Sequence, residues 1–245
     1  MSLPITCCTL SQKEFDTMTD SWKLMVNSEG SAAGICTSLT STDSALSNYA
    51  YLPAEHVKQL LDASTTVAIR TKFLLTDDAH PSFSLAVYGI TALGVPTTPY
   101  FRMGVAAVPA SIKKVEALLT ANEEITAAQA AAWIMSWHAL TPETITVAAP
   151  FTSADGMLLG YTFPVSDFQD PWPAKPDPDD ALWLNFDRHA PNFTEPISPE
   201  QLLFSTIVTL NKVPSDTAPG IIVLSPDEHY YDVSRPCPPY CDTYP

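Results

Sequence analysis

The chain has 245 residues, 46% of them hydrophobic, and carries 27 acidic against 12 basic side chains for a formal net charge of −15. So much apolar content argues against disorder throughout. So much negative charge repels phosphate backbones and anionic membrane surfaces, and the longest basic run is the pair Lys113-Lys114, so neither nucleic-acid binding nor a basic membrane-surface helix is expected.

No apolar stretch approaches the length of a spanning helix, so no membrane insertion is expected. The opening MSLPITCCTLSQKEFD lacks a basic region followed by a long apolar core, so a cytoplasmic location is the default expectation. Signal-independent export would leave the same sequence.

Two segments echo one another. Residues 10–25, LSQKEFDTMTDSWKLM, align without a gap on residues 125–140, ITAAQAAAWIMSWHAL, and Ser21-Trp22 falls on Ser136-Trp137. Each opens with a capping box, Ser11 with Glu14 and Thr126 with Gln129, in which hydroxyl and acid or amide exchange hydrogen bonds with the first backbone N–H groups. Behind the first box Phe15, Met18, Trp22 and Met25 recur at helical spacing; Ala130, Trp133, Trp137 and Leu140 do so behind the second. Each segment therefore reads as an amphipathic helix with its tryptophans in the core.

Next, Tyr51-Leu52-Pro53 with Val57 matches Thr162-Phe163-Pro164 with Phe168. Residues 54–62 read as a short helix with Val57, Leu60 and Leu61 inward, and Pro53 suits its first position. After the second block Pro171, Pro173, Pro176 and Pro178 forbid a continuous helix. Strands are expected at 67–76 and 82–92 around an Asp-Asp-Ala-His-Pro turn, then at 100–108. A connecting helix follows at 109–121, with the second half repeating strands at 181–187, 202–210 and 220–225. The fold class is thus α+β: two similar tandem modules, each an N-terminal amphipathic helix packed on a small antiparallel sheet. The boundaries are 1–108, a linker at 109–124, and 125–245 with Pro-rich loops and a cysteine-containing tail.

The cysteines are Cys7, Cys8, Cys36, Cys237 and Cys241. Cys237 and Cys241 flank Pro-Pro-Tyr, and three chemistries fit them. They could bind zinc, with His229 or with Cys7 and Cys8; they could close a local disulfide; or they could stay free thiols. No cofactor is expected, with zinc the runner-up. A capped Trp helix, Phe-Pro-x-x-x-Phe and a Cys-Pro-Pro-Tyr-Cys tail together resemble a group of uncharacterised bacterial proteins. The resemblance covers 125–141, 163–168 and 220–241 well and the first half weakly; it implies an α+β fold and lends no activity or catalytic residues.

Catalytic signatures are otherwise missing: there is no phosphate loop, dinucleotide fingerprint or nucleophile elbow. His56, His80, His138, His189 and His229 form no i, i+4 pair, and Asn192-Phe193-Thr194 is a glycosylation sequon by letter only. The densest acidic run, Asp177, Asp179, Asp180 and Asp187, sits among prolines near Trp172 and Trp183. It lacks the glycine and terminal glutamate of a calcium loop and reads as a solvated acidic surface. Trp172 is either tucked over the core or presented as an interface anchor. The function expected is a non-enzymatic interaction or structural subunit, contacting a protein partner or itself through Trp172, Asp177, Asp179 and Asp180. The alternative is a metal-dependent or hydrolytic enzyme using His229, Asp232 and Cys237 in the HYYD segment and tail.

Overall fold

A computed structural model describes residues 8–27, 37–40, 46–76, 81–106, 127–140, 151–153, 156–189, 203–212 and 235–237. The fold is mixed α+β and rich in antiparallel sheet. In chain order come β1 (Cys8–Leu10), α1 (Gln12–Asn27), β2 (Tyr49–Pro53), α2 (Ala54–Leu61), β3 (Ala68–Leu75), β4 (Phe83–Ile90), β5 (Tyr100–Arg102) and β6 (Gly104–Ala106). Then follow α3 (Ala127–His138), β7 (Thr152–Ser153), β8 (Gly156–Met157), β9 (Gly160–Pro164), α4 (Ser166–Gln169), β10 (Asp180–His189), β11 (Leu203–Lys212) and β12 (Arg235–Cys237).

Helix α1 starts where its capping box says. The Glu14 N–H donates to Ser11 Oγ at 3.3 Å, and the Ser11 N–H donates back to Glu14 Oε2 at 2.8 Å. Hydrogen bonds from the Ser11 hydroxyl and then its backbone hold the Glu14 carboxyl below its ordinary pKa. Phe15, Met18, Trp22 and Val26 are buried, so Val26 takes the inward place expected of Met25, which packs partly buried against the core. In α3 the buried set is Ala130, Ala131, Ile134 and Trp137. Ile134 replaces the expected Trp133, which is only half-buried. Helix α2 buries Val57 and Leu60, with Pro53 as the residue before its first turn. The proline run after Pro164 leaves only the four-residue α4.

The strands form a six-stranded sheet, β1-β5-β4-β3-β9-β12, a four-stranded sheet, β11-β10-β2-β6, and a small β7-β8 pair. The two large sheets lie face to face. Ile69, Phe73, Phe83, Leu85, Val87 and Phe163 of one meet Leu52, Leu182, Leu184, Phe186, Phe204 and Val208 of the other in a shared core. On the outer face of the six-stranded sheet, α1 sets Phe15 and Met18 among Leu74, Ala86 and Tyr88. On the outer face of the four-stranded sheet, α3 sets Ala130, Ala131 and Ile134 among Tyr49, Tyr51, Trp183 and Ile207. The layers run helix, sheet, sheet, helix. With a cover on both faces β4 is buried at every residue, Ser84 included, and so lacks the apolar-polar alternation of a half-exposed strand.

Each helix is expected over a sheet of its own half, but both large sheets draw strands from both halves. Strand β9 lies beside β3, with Ala68 opposite Pro164, Ile69 opposite Phe163 and Arg70 opposite Thr162. Strand β2 lies beside β10, with Ala181 opposite Pro53, Leu182 opposite Leu52 and Trp183 opposite Tyr51. The expected strand 100–108 divides at Met103: β5 joins β4 in one sheet and β6 joins β2 in the other. The linker helix at 109–121, the strand at 220–225 and the Thr126 cap lie outside the described residues.

The tryptophans tie the layers together. The Trp22 indole N–H donates to the Leu158 carbonyl at 3.0 Å, and that of Trp137 to the Ser47 carbonyl at 2.9 Å. Trp22 packs on Phe73 and Phe83, with centroids 5.4 and 5.3 Å away. Trp137 packs on Phe186 and Phe204, at 6.1 and 5.0 Å. Each such ring removes on the order of 150–250 Å² from water, roughly 4–6 kcal/mol before the entropy of ordering it.

Candidate functional site

The acidic loop follows directly from α4. Pro171 cannot continue the helix, and the chain turns back with the Trp172 N–H donating to the Gln169 carbonyl at 3.0 Å. Trp172 is half-buried and packs against the central core. Part of the indole is thus against the core and part remains exposed at the loop.

Beyond Pro173, Pro176 and Pro178 the loop closes on β10. The Asp177 N–H donates to Asp180 Oδ2 at 2.7 Å, and the Asp180 N–H returns to the Asp177 carbonyl at 3.0 Å. A carboxylate that accepts a backbone N–H three residues earlier is a local turn lock. Asp180 is buried and Asp177 and Asp179 are exposed, with oxygens of all three carboxylates within 4.8 Å of one another. The loop therefore holds its negative charge in a fixed place. Oxygen ligands of this kind suit a hard cation better than zinc, and the turn lock already occupies an oxygen of Asp180. Asp187, grouped with them by sequence, is instead fully buried within β10.

A second feature lies under α1. A cleft of about 230 Å³ is lined by Phe15, Asp16, Thr19, Asp20, Trp22, Lys23, Lys72, Phe73 and Leu159. Both of its carboxylates have partners along α1: Lys23 Nζ lies 2.8 Å from Asp20 Oδ1, and Gln12 Nε2, outside the lining, donates to Asp16 Oδ1 at 2.9 Å. The lining offers the carboxylates of Asp16 and Asp20, the ammonium groups of Lys23 and Lys72 and the Thr19 hydroxyl. The signal for it in the sequence is the placement of Asp16 and Asp20 one turn apart on the helix, with Lys72 following Arg70 and Thr71 in β3.

Most residues of the alternative enzyme site are not among the described ones. His229, Asp232 and Cys241 lie outside the described residues, as do Cys7, Cys36, His80 and Asn192. For Cys237 the backbone alone is described, paired with Gly160. Cys8 is exposed, and its thiol forms no disulfide among the described residues. His56 has Nε2 3.6 Å from Glu55 Oε1 and its ring 5.1 Å from that of Phe101.

Burial pushes the His138 imidazole down to about 4, and its Nε2 has no hydrogen-bond partner among the described residues. The unfolded chain therefore takes up this proton first as pH falls. The stability His138 contributes is complete above about pH 6.5 and is lost progressively down to about pH 4. The loss is on the order of 2–3 kcal/mol. In urea titrations between pH 7 and 4, His138→Asn is expected to remove that part of the acid sensitivity; identical pH slopes for variant and wild type contradict it.

No family model matches the chain, and neither a curated protein nor a solved structure matches it. No helix of the described residues is long and apolar enough to cross a membrane.

Proposed function

We propose that the protein is a non-enzymatic interaction or structural subunit, composed of two similar α+β units in tandem, that meets a basic face of a protein partner through its acidic loop. The observation that carries this is the locked turn at 177–180: charge presented on a braced loop loses little entropy on binding. Trp172 supplies the brace, and Asp177 and Asp179 supply the exposed contacts. With a net charge of −15, like charge disfavours pairing of this face with its own copy and favours a basic partner.

The tandem part of the proposal is supported by the way contacts recur. Trp22 and Trp137 are 115 residues apart, their acceptors Ser47 and Leu158 are 111 apart, and each bond crosses from one half to the other. The Phe73 N–H donates to the Leu159 carbonyl just as the Phe186 N–H donates to that of Asn48.

Affinity capture from the native host tests the proposal. Partners held by the wild type are expected to be lost as ionic strength rises, since exposed charges are screened within about 10 Å. Asp177→Asn with Asp179→Asn is expected to weaken a purified partner about two- to thirtyfold, at about 0.2–1 kcal/mol per exposed pair, with thermal stability unchanged. Equal binding by variant and wild type, or no partner under gentle conditions, contradicts it.

A further inference from the structure

The strand topology points to a fold that neither half closes alone, and we propose that one half of a second copy of this chain can replace the chain's own other half. This rests on the described strands and hydrogen bonds, and stands whatever binds the acidic loop.

Consider residues 1–108 by themselves. Strand β2 pairs with β6 and β10; without β10 it is half of a two-stranded ribbon, which is marginal in water. Strand β3 loses β9 and presents an open edge. The Trp22 indole, fully buried, loses its acceptor at Leu158, and a buried donor left unpaired is costly. Arg70, also buried, loses the Thr162 hydroxyl to which its Nε donates at 3.2 Å. Residues 125–245 face the matching deficits. Strand β10 loses β2, β9 keeps only β12, and the Trp137 N–H loses Ser47.

The deficits are reciprocal. Each half gives the other a strand of the same register, Pro53 opposite Ala181 and Pro164 opposite Ala68, and each gives a carbonyl to the other's tryptophan. A join in which both sides offer the same parts is the isologous kind found in twofold dimers, and exchanging identical elements between chains is a low-cost route to such dimers. The single chain behaves as a dimer of halves joined by residues 107–126. Because the two halves belong to one chain, their join is intramolecular until chains are unfolded together or the connection is cut.

The test begins with the folded full-length protein carrying a protease recognition sequence within residues 107–126, cut under native conditions. The halves are expected to co-elute at the uncut mass by light scattering, retain the near-ultraviolet dichroism of the intact protein, and acquire a urea midpoint that rises with protein concentration. Cut protein with an affinity tag on its second half, unfolded and refolded with untagged cut protein, is expected to capture untagged first halves in near-statistical share. Trp22→Phe or Trp137→Phe, each removing one crossing N–H, is expected to weaken reassociation about five- to thirtyfold. Halves that elute apart, or a midpoint independent of concentration with no hybrids, overturn the proposal. Should the insertion disturb folding, co-expressing 1–108 with 125–245 decides it: co-purification supports exchange, and halves that purify separately or aggregate overturn it.

Discussion

Replacing Gly160 with alanine is expected to lower stability by more than about 3 kcal/mol, or to prevent folding, because steric overlap adds to backbone strain. Gly160 has φ of +148°, and an added Cβ would lie 2.0 Å from the Thr71 carbonyl oxygen and 2.9 Å from Lys72 Cα. Those are backbone atoms of β3 within the larger sheet, so no side chain can swing aside. Gly160 is also where β9 begins, paired with Lys72 and with Cys237. The strain therefore falls on the strand that crosses between halves. Gly94, at φ 76° in a turn, is the control: alanine there is expected to cost about 1 kcal/mol. Urea unfolding of both variants decides, and a Gly160→Ala midpoint close to wild type contradicts the packing described for β9.

Phe204→Ala is expected to cost about 3–5 kcal/mol, the range for a buried phenylalanine whose cavity cannot collapse. Phe204 is fully buried. Its ring meets those of Phe73, Trp137, Phe151 and Phe186 at 4.9–5.4 Å, and its carbonyl accepts the Tyr161 hydroxyl. These rings come from both sheets, so the neighbours of the vacated space are held by separate layers. Phe83 stands beside Trp22 and Phe73 as Phe204 stands beside Trp137 and Phe186. Phe83→Ala is therefore expected to have a similar effect. Because both rings lie in one core, either substitution should lower one cooperative transition, with the dependence on urea unchanged. Two transitions, only one of which moves, would show halves that unfold independently.

The elements most legible in the sequence were those written in local patterns. The Ser11–Glu14 box marks the start of α1, and Phe15, Met18 and Trp22 name its buried face. The alternation in 67–76, and the returning run at 82–92 after turn residues, yield β3 and β4 within a residue or two. What stayed hidden was pairing between distant segments. Tyr49–Pro53 and Gly160–Pro164 are short aromatic-rich runs ending in proline, a fair strand signal. Nothing local in them says that each lies beside a strand of the other half, because register between distant strands is set by the assembled core and not by neighbours in the chain. The split at Met103 was hidden for the same reason: 100–108 reads as one strand, while its two ends serve different sheets. At the acidic loop the prolines and carboxylates were visible as composition. The packing of Trp172 against the core and the lock from Asp177 to Asp180 needed coordinates, since both depend on where the loop lands. Under α1, the charged lining of the cleft reads from sequence as an ordinary solvated helix face until Lys72 is brought beneath it.

Nuclear Overhauser contacts between backbone protons of the labelled full-length protein test the crossed strands most directly. Contacts linking 49–52 with 182–185, and 160–163 with 69–72, are the expected result. Contacts that instead join 49–53 to 68–72 within the first half would show two self-contained sheets and contradict it.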